Sequence, residues 1–156
     1  MSAAAEAREF PFSAEHFRLI SERMFKFSGI RLPEAKREMV YARLARRLRA
    51  LGIASFDDYV RFLELEPAEW EHCSNALTTN VTSFYREEHH FRALAAHAQA
   101  TRRAGEPFRV WSAGCSTGEE PYTIAMCLTE SIGPGSFRVL ASDLDTQVIA
   151  AAAEGV

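Results

Sequence analysis

Apolar residues recur at helical spacing along the first hundred positions. Phe17, Ile20, Met24 and Phe27 are separated by 3, 4 and 3 residues, which places them on one face of a helix over Ser13–Ser28. Ser13 is suited to cap its start and Gly29 to stop it. Pro33 fits a first helical position, because its missing N–H would be unpaired there anyway. The helix it opens is predicted to reach about Ala50, with Val40, Leu44, Leu48 and Leu51 along one stripe and Gly52 at the end. Ser55, with Asp58 three residues on, resembles a capping box and opens a short helix through Phe62. Pro67 opens another, with Trp70, Cys73 and Leu77 facing inward, and a long helix follows from Glu87 to Arg103.

The pattern changes at Gly105-Glu106-Pro107. Phe108–Trp111 is β-prone, Gly114–Gly118 is a turn, and Glu119–Glu130 is helical. After Gly133-Pro134-Gly135, a second β-prone run covers Phe137–Ala141, and an Ala-rich helix covers Asp145–Glu154. Strand, glycine turn, helix, strand and helix form the opening unit of a doubly wound α/β fold. The expected organisation is a flexible tail over 1–12, a helical domain over 13–104 and a partial α/β domain over 105–156. Trp111 is expected in the core.

Hydrophobic residues make up 47% of the 156 positions and charged residues 25%, the balance of a globular chain rather than a disordered one. A net charge of −3 argues against general nucleic-acid binding. Cys73, Cys115 and Cys127 show no metal-ligand spacing and fit a reducing compartment. No apolar run approaches the ~20 residues needed to span a bilayer, so no membrane insertion is expected.

The chemistry concentrates in the turn Ser112–Gly118. Glycine lets a backbone approach a ligand closely, and the following helix presents unpaired N–H groups. Gly114 and Gly118 stand four residues apart, a poor match to G-x-G-x-x-G but consistent with positive φ at both. Asp143, at the end of the second strand, can accept both hydroxyls of a ribose, while Asp145 is the better N-cap for the next helix. Together they indicate an adenosine-type cofactor without separating a nicotinamide from S-adenosylmethionine.

Three stretches separate the two: Asn75–Glu87 (NALTTNVTSFYRE), Trp111–Tyr122 (WSAGCSTGEEPY) and Ala141–Asp145 (ASDLD). In this order and spacing the chain closely resembles the chemotaxis-receptor glutamate methyltransferases, the CheR family, as do Met39–Tyr41 and Arg43–Leu48 in the helical part. The resemblance runs from about Phe10 onward. It implies an α/β protein in which a small all-helical domain precedes a Rossmann-like methyltransferase domain. Here that domain is cut to its first β-α-β-α part. It implies S-adenosylmethionine as cofactor, S-adenosylhomocysteine as product, and transfer of the methyl group to glutamate side chains of bacterial chemoreceptors in the cytoplasm. The family's cofactor contacts map onto Asn80, Thr82, Arg86, Glu120 and Asp143, with Gly114 in the turn beside them. A nicotinamide oxidoreductase, a non-catalytic docking module and a DNA-binding helical domain are the competing readings.

A glutamate is already ionised at pH 7, so methyl transfer to it needs no general base, and no Ser-His-Asp or Cys-His arrangement is present. Proximity, orientation and removal of water would carry the reaction. Arg86 is the expected catalytic residue, its guanidinium able to hold a carboxylate through two bonds. Lys36, Arg43 and Arg47, with Arg46 nearby, form a basic line expected to dock the acidic receptor helix, so that reversing Arg43 and Arg47 would weaken methylation alone. Two strands make a poor independent sheet. The chain is therefore expected to be a fragment, to bind cofactor weakly, and to self-associate through exposed strand edges.

Overall fold

The computed structural model describes residues 8–155. The described residues form two compact units that divide between Thr78 and Thr79.

The first unit is helical. Helix α1 (Ala14–Ser28) starts at Ser13, whose Oγ accepts from the His16 amide at 3.1 Å while His16 Nδ1 accepts from the Ser13 amide at 3.2 Å. This is a reciprocal cap with histidine in the usual glutamate place. Gly29, at φ 75°, ends the helix. Phe17, Ile20 and Met24 are buried as the spacing predicts, but Phe27 remains exposed, with its ring 6.3 Å from that of Trp70. Pro33 does not open an α-helix directly: it caps a 3-10 turn over Glu34–Lys36, and α2 (Arg37–Leu51) follows. Helices α3 (Phe56–Leu65) and α4 (Glu69–Leu77) complete the unit, α3 running past the predicted end at Phe62.

The expected tail over 1–12 is corrected from Arg8 onward; its first seven positions lie outside the described residues. Phe10 and Phe12 are buried, and the Phe12 ring centroid lies 4.5 Å from that of Phe56. Burying each ring is worth about 1.5–3 kcal/mol, enough to order a short segment against α2 and α3.

The second unit contains α5 (Glu88–Thr101), β1 (Phe108–Ala113), α6 (Glu119–Ile132), β2 (Phe137–Ser142) and α7 (Thr146–Glu154). The strands are parallel, with Phe108 opposite Phe137 and Ala113 opposite Ser142. Helix α5 was expected in the helical domain, yet it packs here. Phe91 and Ala98 of α5 share a core with Ile124, Leu128 and Ile132 of α6, and Phe108, Val110, Phe137 and Val139 close it from the sheet. The expected boundary at 104/105 therefore moves to 78/79. Composition marks the turn at Gly105, but the apolar face of α5 has its partner in α6, later in the chain.

Because side chains alternate along a strand, Trp111 and Leu140 project from the sheet face opposite that core. They are 65% and 63% exposed, which overturns the expectation that Trp111 is a core residue. Its indole N–H donates to Ser142 Oγ at 2.9 Å. Among the described residues no helix is long and apolar enough to cross a membrane.

Candidate cofactor site

The turn between β1 and α6 has the backbone the glycines require. Gly114 has φ +86° and Gly118 φ +106°. A Cβ on Gly118 would sit 3.0 Å from the Tyr122 ring and 3.2 Å from Ala152. A Cβ on Gly114 would meet no atom within 4 Å, so its side of the turn opens onto space. The amides of Gly114 and Cys115 both donate to the Ser142 carbonyl, at 2.8 and 2.9 Å, which binds the turn to the end of β2.

Asp143 follows that carbonyl and is half-buried. Its Oδ2 accepts from the Ser116 amide at 2.8 Å and its Oδ1 from the Asp145 amide at 3.0 Å. Each carboxylate oxygen has two lone-pair directions, so both keep capacity for a ribose hydroxyl. Ser116 is buried and has φ +48°, uncommon for a residue with a side chain. Its Oγ donates to the Asn80 carbonyl at 2.9 Å.

Asn80 is thereby brought to Asp143 through Ser116. Its side-chain Nδ2 also donates to Asp145 Oδ2 at 2.6 Å. Asp145 caps α7 as the sequence suggests, accepting from the Gln147 amide at 2.9 Å. Thr82 is half-buried two residues beyond Asn80. Further along, the Tyr85 amide donates to Thr123 Oγ1 at 3.3 Å, tying this segment to α6. Arg86 is exposed and folds back on its own segment, with Nη1 donating to the Val81 carbonyl at 2.5 Å. Glu120, also exposed, accepts from Ser112 Oγ at 2.6 Å and is held to β1 by that bond. Ser112, Ser116 and the second bond of Asp145 had no signal in the spacing. Each depends on which chain segment lies beside it.

In the helical unit, residues of the expected basic docking line also make contacts of their own. Lys36 lies in the 3-10 turn, out of the α-helical register that would align it with Arg43 and Arg47. Arg43 is half-buried and donates to the carbonyls of Ala76, at 3.2 Å, and Thr78. Arg47 is spent on Glu69, which is 4% exposed, through bonds of 2.7 and 2.6 Å. Tyr59 also donates to Glu69, at 3.0 Å. Burial opposes the charge on Glu69, but the bonds from Arg47 and Tyr59 prevail and hold its pKa below the ordinary value. Arg43 and Arg47 thus fasten α2 to α4, while Lys36 and Arg46 are exposed.

A parallel pair of strands, a glycine turn open on one side and a carboxylate braced at the end of the second strand define a nucleoside-cofactor domain. Residues 80–156 match the family model described as CheR methyltransferase, SAM binding domain, and residues 15–78 match CheR methyltransferase, all-alpha domain. The chain belongs to the CheR methyltransferase family, and the cofactor of its second domain is S-adenosylmethionine. It is 52% identical over 157 residues to a chemotaxis protein methyltransferase of Klebsiella aerogenes, with 98% of this chain and 53% of that protein covered. It is 46% identical over 153 residues to chemotaxis protein methyltransferase 2 of Pseudomonas aeruginosa, covering 96% and 54%. A protein of Pseudomonas putida named probable biofilm formation methyltransferase WspC is 35% identical over 144 residues, covering 90% and 33%. The chain spans about half the length of the chemotaxis methyltransferases it matches.

Proposed function

We propose that the protein containing this chain transfers a methyl group from S-adenosylmethionine to glutamate side chains of bacterial chemoreceptors, in the cytoplasm. The observation that carries the reading is the braced Asp143 carboxylate beside the open flank of Gly114. The residues fit the cofactor in type. Asp143 would take the ribose, Asn80, Thr82 and Glu120 would supply further polar contacts, and Gly114 leaves room for the adenosyl group to approach the backbone. When bound, the cofactor supplies a methyl group activated by its sulfonium.

Arg86 is the group of this set with the geometry to hold a carboxylate bidentately. Its present partner is a neutral carbonyl of Val81, which a carboxylate would outcompete as the stronger acceptor. The role assigned to it is orientation and charge pairing, and no proton needs to move. The contribution expected of such positioning is large, since well-oriented reactants gain effective molarities on the order of 10⁵ M or more.

The test is transfer of labelled methyl from S-adenosylmethionine onto chemoreceptor by the gene product that contains this chain. Base-labile label, lost in an Arg86→Ala variant that remains folded, is the expected result. Label on a base-stable position, or none on receptor, would refute the reading.

A further inference from the structure

Asn80 is held at two points by residues outside the expected cofactor contacts. Ser116 Oγ fixes its backbone carbonyl and Asp145 Oδ2 takes its side-chain amide, at 2.9 and 2.6 Å. We propose that Asp145 is a positioning residue: it fixes the Asn80 amide so that Asn80 meets the cofactor with its carbonyl oxygen, as a hydrogen-bond acceptor. This inference rests on Asn80 being a cofactor contact.

The orientation follows from the donor and acceptor inventory. Both Asp145 oxygens accept N–H donors, Oδ2 from Asn80 and Oδ1 from the Gln147 amide at 2.9 Å. A carboxylate serving two N–H groups offers no donor, so only the NH₂ end of Asn80 can face it; the carbonyl end would place oxygen against oxygen. Asp145 is 4% exposed, and water cannot readily relieve a mismatch there. With the NH₂ end committed, Oδ1 is the end left to read a ligand. An acceptor at that place selects an N–H or O–H donor of the cofactor and rejects an analogue that lacks it, since the unpaired group is costly. Asp145 therefore joins two tasks, starting α7 and polarising the contact made by Asn80.

Asp145→Asn separates these tasks. Asparagine caps helices as well as aspartate does, so α7 persists. The introduced amide must keep its oxygen on the Gln147 N–H, which turns its NH₂ toward Asn80. Asn80 then has to invert, presenting NH₂ to the cofactor. In calorimetry, S-adenosylhomocysteine affinity should fall roughly tenfold to a hundredfold, the range for one buried polar mismatch. The double variant Asn80→Asp/Asp145→Asn restores an acceptor at position 80 and a donor at 145, and affinity should return to near that of the wild type. A purely structural role for Asp145 would give no such recovery.

The side-chain NH₂ resonances of Asn80 provide the readout in the absence of ligand. They should move in Asp145→Asn while the amides of α7 stay in place. Wild-type protein that fails to bind S-adenosylhomocysteine would refute the cofactor reading, and the Asn80 resonances would still judge the pairing. Unmoved resonances, unchanged affinity in Asp145→Asn, or a folded double variant without recovery would each overturn the proposal.

Discussion

Arg47 and Glu69 meet through two parallel bonds, Nε to Oε1 at 2.7 Å and Nη2 to Oε2 at 2.6 Å, around a carboxylate with almost no exposure. The pair looks from sequence like one charge of a solvated helix and another in the first turn of its neighbour. In the fold it joins α2 to α4, with Tyr59 of α3 as a third member. Breaking a buried pair strands the remaining charge, at a cost of about 3–5 kcal/mol. Arg47→Glu should therefore lower the unfolding free energy of the helical unit, read from urea denaturation, by an amount near that range. An Arg46→Glu control on the exposed side should change it by less than ~0.5 kcal/mol. Equal effects of the two reversals would remove the staple from the account.

Glu69 also gives the helical unit an acid sensitivity whose sign is fixed. Its pKa in the fold lies below the ordinary value of 4.5, because the bonds from Arg47 and Tyr59 outweigh the opposing effect of burial. The unfolded chain then binds the proton more readily than the folded one, and unfolding is favoured as protons are added. The stabilisation is complete above the ordinary value and is lost as pH falls through the folded one. Thermal melts below pH 5 should show a steeper loss for the wild type than for Glu69→Gln, whose baseline stability is lower. Parallel curves would contradict this.

Gly118 and Gly114 share positive φ but differ in what surrounds them. Alanine at either position strains the backbone, by about 1 kcal/mol or more. At Gly118 the added methyl also meets the Tyr122 ring at 3.0 Å, and at Gly114 it meets nothing. Gly118→Ala should therefore cost more stability, while Gly114→Ala should act mainly on cofactor affinity by filling the open flank of the turn. Denaturation and calorimetry on the two variants would check the split, and a reversed ranking in either measurement would tell against it.

Trp111 and Leu140 present large apolar side chains on neighbouring strands, paired in register and more than 60% exposed. The chain should associate with itself through this face as concentration rises. Leu140→Lys should shift sedimentation toward the monomer. A monomeric wild type at high concentration would show that the face does not drive association.

Much of this was legible in the sequence because the signals were local. Capping by Ser13 and Ser55, the stops at Gly29 and Gly52, both strands, and the cap at Asp145 depend on residues within a few positions of each other. The family motifs lie in continuous stretches, so the domain type was legible as well. Two departures are local, the 3-10 turn after Pro33 and the extension of α3 past Phe62, and the larger ones are non-local. Helix α5 reads as part of the helical domain because its partner α6 comes later in the chain. Trp111 reads as a core residue because a strand alone does not say which of its faces is covered. Helical periodicity shows that Arg43 and Arg47 share a face, but not that they also bind the carbonyls of Ala76 and Thr78 and the carboxylate of Glu69. The bonds of Ser116 carry no local signal for the same reason, its two partners lying 27 and 36 residues away.

The central claim is that the Gly114 turn and Asp143 form the seat of the adenosyl group. An NMR titration of the chain with S-adenosylhomocysteine tests it most directly, because it registers weak binding as well as tight. The account predicts saturable shifts at Gly114, Ser116, Asn80 and Asp143 that disappear in Asp143→Ala. Shifts confined to other residues, or shifts at these positions that survive Asp143→Ala unchanged, would contradict it.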